Sequence, residues 1–388
     1  MPIRRGRHYL HSSCERVLVT GGAGFIGSHT VDALVERGYE VTLLDSLEPP
    51  SHRTREFPTY LDRNCRKVKG SILERSLMED LCKDTDAVIH LAALVGGYQS
   101  MYQIDRYVET NTRGTSVLLD VLVNTETPVR KLVVASSMMV YGEGTYKCGP
   151  CGTVHYPSGR DQLSLKQALF DHRCSQCGAA LTPVPTTETR PAIPGSIYAA
   201  SKRHQEEISL LVGKAQGLRT TVLRYFNVYG SRQSLSNPYT GVCSVFTSRI
   251  LNNKPPVLFE DGMMLRDYIH VKDVVQANLR ALESERAENE IFNVGSGIPT
   301  STLHLARMLI RIYGSDVEPE ISHRYRINDT RQCYADISKA KGILGFIPTV
   351  SLEKGLGELA EWAKAHPREA IDLFQDAMNE LSEKRILF

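Results

Sequence analysis

Two residues with acid–base chemistry stand four positions apart, Tyr198 and Lys202. In a helix their side chains lie on one face, one turn apart, so the ammonium group comes close to the phenol. A free phenol, with a pKa of about 10, is a poor base at neutral pH, but a neighbouring positive charge favours the phenolate. The same spacing is common by chance on helices, where an ordinary surface pair explains it. Tyr198 is therefore a candidate general base whose assignment depends on the elements around it.

Four of the nine cysteines form two short CxxCG knuckles. Together the knuckles supply four sulfurs, the ligand set of a tetrahedral Zn²⁺ site: Cys148, Cys151, Cys174 and Cys177. Two disulfides are the alternative, but the pairing of the knuckles and an expected reducing compartment favour the metal. His155 and His172 lie nearby in the sequence, and we expect neither to bind because the set of four is complete. A closed set leaves no position for a substrate, so we expect a structural role.

A glycine-rich turn at residues 21–27 lies between a predicted strand, Arg16–Thr20, and a predicted helix at 28–37. This order suits a dinucleotide, because the glycines allow a tight turn and close approach of a pyrophosphate to the helix N-terminus. A second predicted strand, 40–44, ends before Asp45, where a carboxylate accepts hydrogen bonds from both ribose hydroxyls and repels a ribose phosphate. A glycine pattern alone also fits a structural turn, but with Asp45 it predicts an NAD site.

Apolar runs at 87–93 and 131–136 continue the pattern, separated by helical stretches at βαβ spacing. They predict an α/β fold with a Rossmann-type, doubly wound parallel sheet and right-handed crossovers. In the C-terminal third, helices are predicted at 302–313 and 352–365, in a smaller α/β substrate-binding lobe. The segment after His366 is predicted to be a surface helix of mixed charge, without chemistry. The predicted division is a tail (1–15) and an NAD-binding domain (16–230) with an inserted zinc ribbon (146–182). Residues 231–388 are predicted to form mainly the C-terminal nucleotide-sugar-binding lobe.

The composition of the chain limits its function classes. The 388 residues carry 46 basic and 44 acidic side chains, a net charge of +2, so nothing points to nucleic acid as the main partner. Residues 1–15 lack the apolar core of a signal peptide, and no run approaches the roughly 20 apolar residues of a membrane helix. We therefore expect a cytoplasmic protein with neither a membrane nor a nucleic-acid partner.

From residue 16 to about 362, the chain resembles the extended short-chain dehydrogenase/reductases, the NAD-dependent sugar epimerase/dehydratase family. The resemblance rests on the glycine turn, the Tyr198–Lys202 pair and the stretches 111–115, 136–142, 224–230, 266–271 and 292–295. It implies that Ser137 hydrogen-bonds the reacting hydroxyl, Tyr198 exchanges its proton and Lys202 holds the nicotinamide ribose. Hydride then passes between a sugar carbon and NAD.

The resemblance also implies two sets of binding residues. The NAD contacts are Gly21, Gly24, Phe25, Ile26, Gly27, Asp45, Ser71, Ile72, Leu91, Ala92, Ala93, Asn111, Tyr198 and Lys202. The contacts to a nucleotide-diphosphate sugar are Ser137, Met138, Asn227, Arg266, Arg326 and Asp329. Arginine and carboxylate suit phosphate oxygens and ribose hydroxyls respectively. The family usually has Asp where this chain has Ser71, so adenine recognition departs from the family pattern.

Several reactions of the family need side chains that this sequence lacks at the expected place. Dehydratases resemble one another in an Asp-Glu pair where this chain has Met138 and Met139, and thioethers cannot transfer protons. Family decarboxylases place a glutamate in this region. A 3,5-epimerase needs a further acid and base. The Gly96-Gly97 pair nevertheless resembles the glycine pair of enzymes that invert those positions and of the bifunctional epimerase-reductases. The simplest chemistry is reversible oxidation of a sugar 4-hydroxyl, so a 4-epimerase is expected. Another NAD-dependent nucleotide-sugar oxidoreductase or a 3,5-epimerase is the alternative.

Four further stretches, 99–102, 233–241, 259–262 and 325–331, resemble the bacterial thymidine-diphosphate-L-rhamnose 4-epimerases, as does the cysteine-bearing insertion. Related sugar 4-epimerases share such features, so the base and the sugar stay open. Family enzymes are commonly dimers through helices that follow Val108 and Tyr198, and a homodimer is expected here. Because zinc ribbons also occur in nucleic-acid-binding proteins, a non-enzymatic NAD-sensing regulator is the alternative from another class.

Overall fold

The computed structural model describes residues 16–49, 51–52, 54–239 and 241–388; the expected N-terminal tail lies outside them. The first part alternates strands and helices as the sequence predicts. Its elements are β1 (Arg16–Thr20), α1 (Phe25–Glu36), β2 (Glu40–Asp45), β3 (Arg66–Lys69), α2 (Arg75–Cys82), β4 (Ala87–His90), α3 (Ile104–Tyr107), α4 (Gly114–Asn124) and β5 (Lys131–Ser137). Helix α1 begins three residues before its predicted start, because Gly24 is its N-cap and has an extended conformation.

The segment after β5 folds as a small antiparallel sheet. Its elements are β6 (Thr145–Cys148), β7 (Val154–His155), α5 (Gln162–Lys166) and β8 (Leu181–Val184), with the strand order β7-β6-β8. The long helix α6 (Ile197–Gln216) follows, and the Ser196 hydroxyl caps it by accepting a hydrogen bond from the amide of Ala199. The insertion therefore lies between the serine-bearing strand and the tyrosine-bearing helix.

The rest of the chain builds most of the smaller lobe and adds two strands to the large sheet. Its first elements are β9 (Arg219–Tyr225), β10 (Asn227–Tyr229), α7 (Val242–Leu251), β11 (Val257–Leu258), β12 (Leu265–His270), α8 (Val271–Glu283) and β13 (Glu290–Val294). Then come β14 (Pro299–Ser301), α9 (Thr302–Tyr313), β15 (Glu320–Ile321), β16 (Gln332–Cys333), α10 (Ser338–Leu344), α11 (Leu352–Ala365) and α12 (Phe374–Glu383).

The central sheet has seven parallel strands in the order β13-β9-β5-β4-β1-β2-β3. The strand order reverses between β1 and β4, which is where open α/β sheets bind ligands at the carboxyl ends of their strands. One apolar core lies between the sheet and α1, α8 and α10, and a second covers the other face beneath α2, α4 and α6. The doubly wound fold predicted from the sequence is confirmed.

A separate apolar core holds the smaller lobe together, between α7, α9 and α11. Helix α12, predicted to be a surface helix, buries one face instead: Phe374, Ala377, Met378 and Leu381. This face packs near Tyr98, Tyr102, Tyr239 and Phe259. The four buried residues recur at the helical spacing i, i+3, i+4 and i+7, so their pattern predicts a buried face even though charged residues stand between them. Among the described residues, no helix is long and apolar enough to cross a membrane.

Candidate active site

Ser137, Tyr198 and Lys202 meet where β5 ends against α6. Both α6 side chains are buried, Tyr198 at 6% exposure and Lys202 at 3%. The Lys202 ammonium donates to the carbonyl of Ala135 on β5 at 2.9 Å, and the amide of Tyr198 donates to the Ser100 hydroxyl at 3.0 Å. The sequence pair is therefore held inside the molecule and not on a helix surface.

Burial sets the pKa values of this pair in opposite directions. It raises the pKa of Tyr198 to about 12, while the hydrogen bond to the Ser137 hydroxyl acts to lower it. Burial also lowers the pKa of Lys202 to about 7, against the opposing effect of the Glu206 carboxylate. Both shifts disfavour the charged form, as expected for groups removed from water. A further positive charge next to the phenol is needed to make Tyr198 a base at neutral pH.

Glu206 supports this group from one turn further along α6. Its carboxylate accepts from the Ser136 hydroxyl at 2.5 Å and from Arg224 at 2.7 and 2.8 Å. All three side chains are buried. This ion pair was not predicted from the sequence, although Tyr198, Lys202 and Glu206 are spaced four residues apart and share one helix face.

Met138 and Met139 form an apolar wall beside Ser137. They open a short 3-10 turn, Met138–Tyr141, in which the amide of Met139 donates to the Ser137 hydroxyl at 3.2 Å. Met138 is buried, and a β-carbon on Gly97 would lie 2.7 Å from the Met139 methyl carbon. Gly97 thus allows the thioether to pack against the backbone, and neither methionine can transfer a proton.

The glycine turn has the shape that a pyrophosphate needs. Gly21 has a φ of +70°, and a β-carbon there would lie 2.8 Å from the amide nitrogen of Ala92. A β-carbon on Gly27 would lie 2.1 Å from the carbonyl oxygen of Gly21. No side chain caps the N-terminus of α1, which leaves the amides at Phe25 and Ile26 facing the turn as an anion site.

Asp45 ends β2 beside this turn. Its carboxylate accepts from the amides of Ala23 at 3.1 Å and Leu47 at 2.9 Å, and His52 lies 3.5 Å away. The carboxylate thus orders the glycine turn and lies where a ribose would contact it. These features fit the pyrophosphate and ribose of a dinucleotide.

The remaining candidate NAD contacts lie at the carboxyl ends of neighbouring strands. Leu91, Ala92 and Ala93 follow β4, and the amide of Ala92 donates to the Thr20 hydroxyl at 3.3 Å. Asn111 is buried in a π-helical turn, Val108–Arg113, a distortion frequent at functional sites.

The Asn111 side chain joins two parts of the site. It accepts from the amide of Leu94 at 2.7 Å and donates to the Ser201 hydroxyl on α6 at 3.0 Å. Beyond β3, the Ser71 hydroxyl accepts from the amide of Leu73 at 3.2 Å. Ile72 is buried beneath Gly114, so its side chain is part of the core.

Arg266, Arg326 and Asp329 form a buried group in the smaller lobe. The Asp329 carboxylate lies 3.1 Å from Arg266 and 2.6 Å from Arg326. Burial by itself would raise the pKa of Asp329, but the two guanidinium groups hold it below its usual value. The Arg326 guanidinium also lies between two rings, 4.1 Å from the centroid of Tyr98 and 4.2 Å from that of Phe259.

Asn227 begins β10 near this group. Its side-chain carbonyl oxygen is buried and has no hydrogen-bond partner within the part of the chain that the structure describes. A buried amide oxygen without a partner costs free energy, which a bound ligand can recover. The two arginines, Asp329 and Asn227 thus supply charges and hydrogen-bonding groups suited to a nucleotide diphosphate.

The four knuckle cysteines converge in the inserted sheet. All four sulfur atoms lie within 4.8 Å of one another, with Cys148 and Cys177 3.5 Å apart and Cys151 and Cys174 4.0 Å apart. A tetrahedral zinc with bonds of about 2.3 Å has sulfur–sulfur edges of about 3.8 Å, so the donor set fits this ion. Gly152 and Gly178 close the two knuckles, each with a positive φ.

The two spare histidines differ in position. His155 lies 3.5 Å from the sulfur of Cys174 and also 2.8 Å from the Thr153 hydroxyl, whereas His172 lies 3.3 Å from the Glu143 carboxylate. His155 is therefore a hydrogen-bonding neighbour of the sulfur cluster. His172 belongs to a different group of charges.

Known proteins with similar sequences and structures share this architecture. The family model described as "NAD dependent epimerase/dehydratase family" matches residues 17–159 and 168–295. A dTDP-L-rhamnose 4-epimerase of Burkholderia thailandensis is 34% identical over 90% of this chain and 94% of its own length.

Solved structures agree with that match. A UDP-glucose 4-epimerase of Thermotoga maritima with UDP-glucose is 34% identical, with a TM-score of 0.74 over 91% of this chain and 99% of its own. A UDP-glucuronic acid 4-epimerase of Bacillus cereus in complex with UDP-glucuronic acid and NAD is 28% identical, with a TM-score of 0.74 over 90% of this chain and 99% of its own. The chain therefore belongs to the NAD-dependent epimerase/dehydratase family.

Proposed function

We propose that this protein is a nucleotide-sugar 4-epimerase that works with tightly bound NAD. The observation that carries the proposal is the buried group of Ser137, Tyr198 and Lys202 at the end of β5, next to a glycine turn that fits a dinucleotide. The names of the similar proteins, 4-epimerases of UDP and dTDP sugars, support the same reaction.

The proposed steps use the side chains of this site in turn. NAD, held by the glycine turn and Asp45, would supply the acceptor and donor of the hydride at the sugar carbon. Ser137 holds the 4-hydroxyl while Tyr198 removes its proton, which leaves a 4-keto sugar. Lys202 stabilises the phenolate by its charge and holds the nicotinamide ribose. After the keto sugar turns in the pocket, Tyr198 returns the proton and the 4-hydroxyl forms on the opposite face.

The nucleotide end of the substrate is assigned to the smaller lobe. Arg266 and Asn227 are proposed to contact the diphosphate, and Arg326 with Asp329 to contact phosphate and ribose. Met138 is proposed to contact the sugar beside Ser137. The apolar wall of methionines disfavours elimination of water and proton exchange at positions 3 and 5, since both need a further acid and base. The similarity to named epimerases over about 90% of the chain argues against the alternative of a non-enzymatic NAD-sensing regulator.

The cysteine cluster is proposed to hold a structural Zn²⁺ through Cys148, Cys151, Cys174 and Cys177. The sulfur spacing supports this assignment. A site of four thiolates needs reduced cysteines, so the proposed zinc is in keeping with the expectation of a cytoplasmic protein. Serine in place of two of the cysteines should lower the zinc content of the purified protein, measured by elemental mass spectrometry.

Proton NMR in deuterated water tests the proposed reaction. Purified protein is incubated, without added reductant, with thymidine-, uridine-, guanosine- and adenosine-diphosphate sugars. We expect inversion at position 4 without deuterium at any sugar carbon, because the hydride never exchanges with solvent. The variant Tyr198→Phe is the matched control, and its rate should be lower by a factor of about 10² to 10⁴. Deuterium at position 3 or 5, or loss of water, would contradict the proposal.

A further inference from the structure

A buried cluster of charges joins the inserted ribbon to the smaller lobe. Its members are Glu143 after the serine turn, Arg160 from the insertion, and Glu260 and Arg331 from the smaller lobe, with side-chain exposures between 0% and 5%. Glu260 lies between the two cations, 2.7 Å from Arg160 and 2.9 Å from Arg331. Arg160 also lies 3.8 Å from Glu143. Arg331 also pairs with Asp171 and Asp261 at the exposed edge of the cluster, so Glu260 is the carboxylate that both arginines share inside it.

Arg160 reaches from this cluster to the candidate nucleotide site. One nitrogen of its guanidinium donates to the backbone carbonyl of Asp329 at 2.9 Å, and another donates to the carbonyl of Phe170 at 3.4 Å. The carboxylate of the same Asp329 pairs with Arg266 and Arg326. A cation from the insertion therefore fixes the backbone of the residue that orients both arginines.

The other contacts of the insertion strengthen this link. The Arg190 guanidinium donates to the carbonyl of Pro157 in the insertion at 3.0 Å and to that of Tyr141 in the serine turn at 2.8 Å. The Glu143 carboxylate accepts from the amide of Arg331 at 2.8 Å and from the Tyr146 hydroxyl at 3.0 Å. The insertion is thus linked to the serine turn through Arg190 and to Arg331 of the smaller lobe through Glu143.

The ribbon holds itself together with few apolar residues. Its own buried cluster consists of Tyr146, Cys148, Cys174 and Leu181. A core of this size cannot maintain a fold alone. Leu165 and Phe170 anchor one part of the insertion on Tyr325 of the smaller lobe, and closure of the four sulfurs on a metal would order the rest. Arg160 also falls between the two segments, 17–159 and 168–295, that match the family model.

We infer that Arg160 is a positioning residue for the nucleotide diphosphate, so that the ribbon sets the affinity for the nucleotide sugar and not for NAD. The inference rests on the proposed nucleotide-sugar site. Removal of Arg160 leaves the buried Glu260 with one cation in place of two and frees the Asp329 backbone, so Arg266 and Arg326 lose their fixed orientation. The glycine turn and Asp45 lie on the other lobe and keep their geometry.

Nucleotide binding by full-length variants tests this inference. The variants are Arg160→Gln, Arg160→Lys and the matched control Lys166→Gln, an exposed cation on α5 of the same insertion. The diphosphates of uridine, thymidine, guanosine and adenosine serve as probes in isothermal titration. Bound NAD, zinc content and thermal unfolding are measured on the same samples. KM and kcat are measured with the sugar found by NMR.

We expect Arg160→Gln to weaken binding of the preferred diphosphate by about tenfold or more and to raise KM without a matching fall in kcat. NAD and zinc contents should stay at wild-type levels. Arg160→Lys should recover part of the affinity, because it restores the charge without the planar fork, and Lys166→Gln should bind as the wild type does. Removal of zinc by a chelator should reproduce the loss of affinity with NAD retained.

Two results would overturn the inference while leaving the proposed function intact. One is unchanged diphosphate binding by Arg160→Gln, and the other is an equal loss of NAD, zinc and thermal stability, which would mean a purely structural role. A wild-type protein that binds none of the four diphosphates would instead remove the proposed function, and this inference with it.

Discussion

The single residues of the site depend on burial for their chemistry. Tyr198 and Lys202 are both shifted toward their neutral forms, and the interactions with Ser137 and Glu206 work against those shifts. Without a cofactor, Tyr198 therefore carries little phenolate at neutral pH. The positive charge of an oxidised nicotinamide beside the phenol would complete it, so that proton removal is favoured when the cofactor is ready to accept a hydride.

The dependence of the rate on pH should reveal this arrangement. Because the phenolate is the active form and its pKa is raised, kcat/KM should increase with pH on the acid side. The change Ser137→Ala removes an interaction that lowers this pKa, so we expect the acid limb to move to higher pH and the plateau to fall. Ser137→Thr keeps the hydroxyl and should retain the wild-type limb position. An acid limb that stays in place in Ser137→Ala would contradict the assignment.

At the scale of elements, short backbone approaches decide where the cofactor can lie. Gly27 stands inside α1, and a β-carbon there would meet the carbonyl oxygen of Gly21. Gly357 stands inside α11 with nothing within 4 Å of the position of such a carbon. The close approach of Gly21 thus requires a glycine at position 27, whereas no neighbouring atom excludes a side chain at position 357.

Alanine at each position should separate these two cases. Gly27→Ala forces the turn at Gly21 to move, so we expect protein purified without bound NAD and with a lower melting temperature. Gly357→Ala should raise the free energy of unfolding by about 1 kcal/mol, the usual gain in a helix interior. Bound nucleotide released by denaturation and chemical unfolding curves give the two readouts. Full retention of NAD by Gly27→Ala would refute the close approach.

Local patterns predicted elements well, and long-range contacts poorly. Helices α9 and α11 have their predicted bounds, since Ser301 and Ser351 cap them and their apolar residues recur at helical spacing. Strands β1, β2, β4 and β5 of the large sheet were predicted from their apolar runs, whereas β3, β9 and β13 were not predicted. By contrast, the pairing of Arg160 with Glu260 and of Glu206 with Arg224 depends on how distant segments come together. No local pattern in one sequence encodes such a contact.

At the scale of the whole molecule, exposed apolar side chains indicate a surface for self-association. Leu211 on α6 is 67% exposed, Ile104 on α3 is 50% exposed and Val108 beside it is 42% exposed. Helices α3, α4 and α6 pack side by side on this face. Exposed apolar side chains on packed helices can take part in protein–protein interfaces, so we propose this face for the homodimer expected from the sequence.

A charge on this face should separate the subunits. Leu211→Glu is expected to convert a dimer to a monomer, because an unpaired carboxylate in an apolar interface loses its hydration. Leu163→Glu is the matched control, since Leu163 is 68% exposed on the ribbon, away from this face. Sedimentation velocity gives the mass of each species. If Leu211→Glu has the same mass as the wild type, the interface lies elsewhere or the protein is a monomer.

Strands β6 and β8 pair directly, with Thr145 opposite Val184, so the insertion leaves and rejoins the host fold at nearly one point. A gene could gain such a module in a single event without displacing β5 or α6, as insertions are tolerated where their ends are close. Once Arg160 balances Glu260, loss of the module leaves a buried acid short of a partner. Deletion of the module is therefore expected to cost stability unless Glu260 is replaced by a neutral residue at the same time.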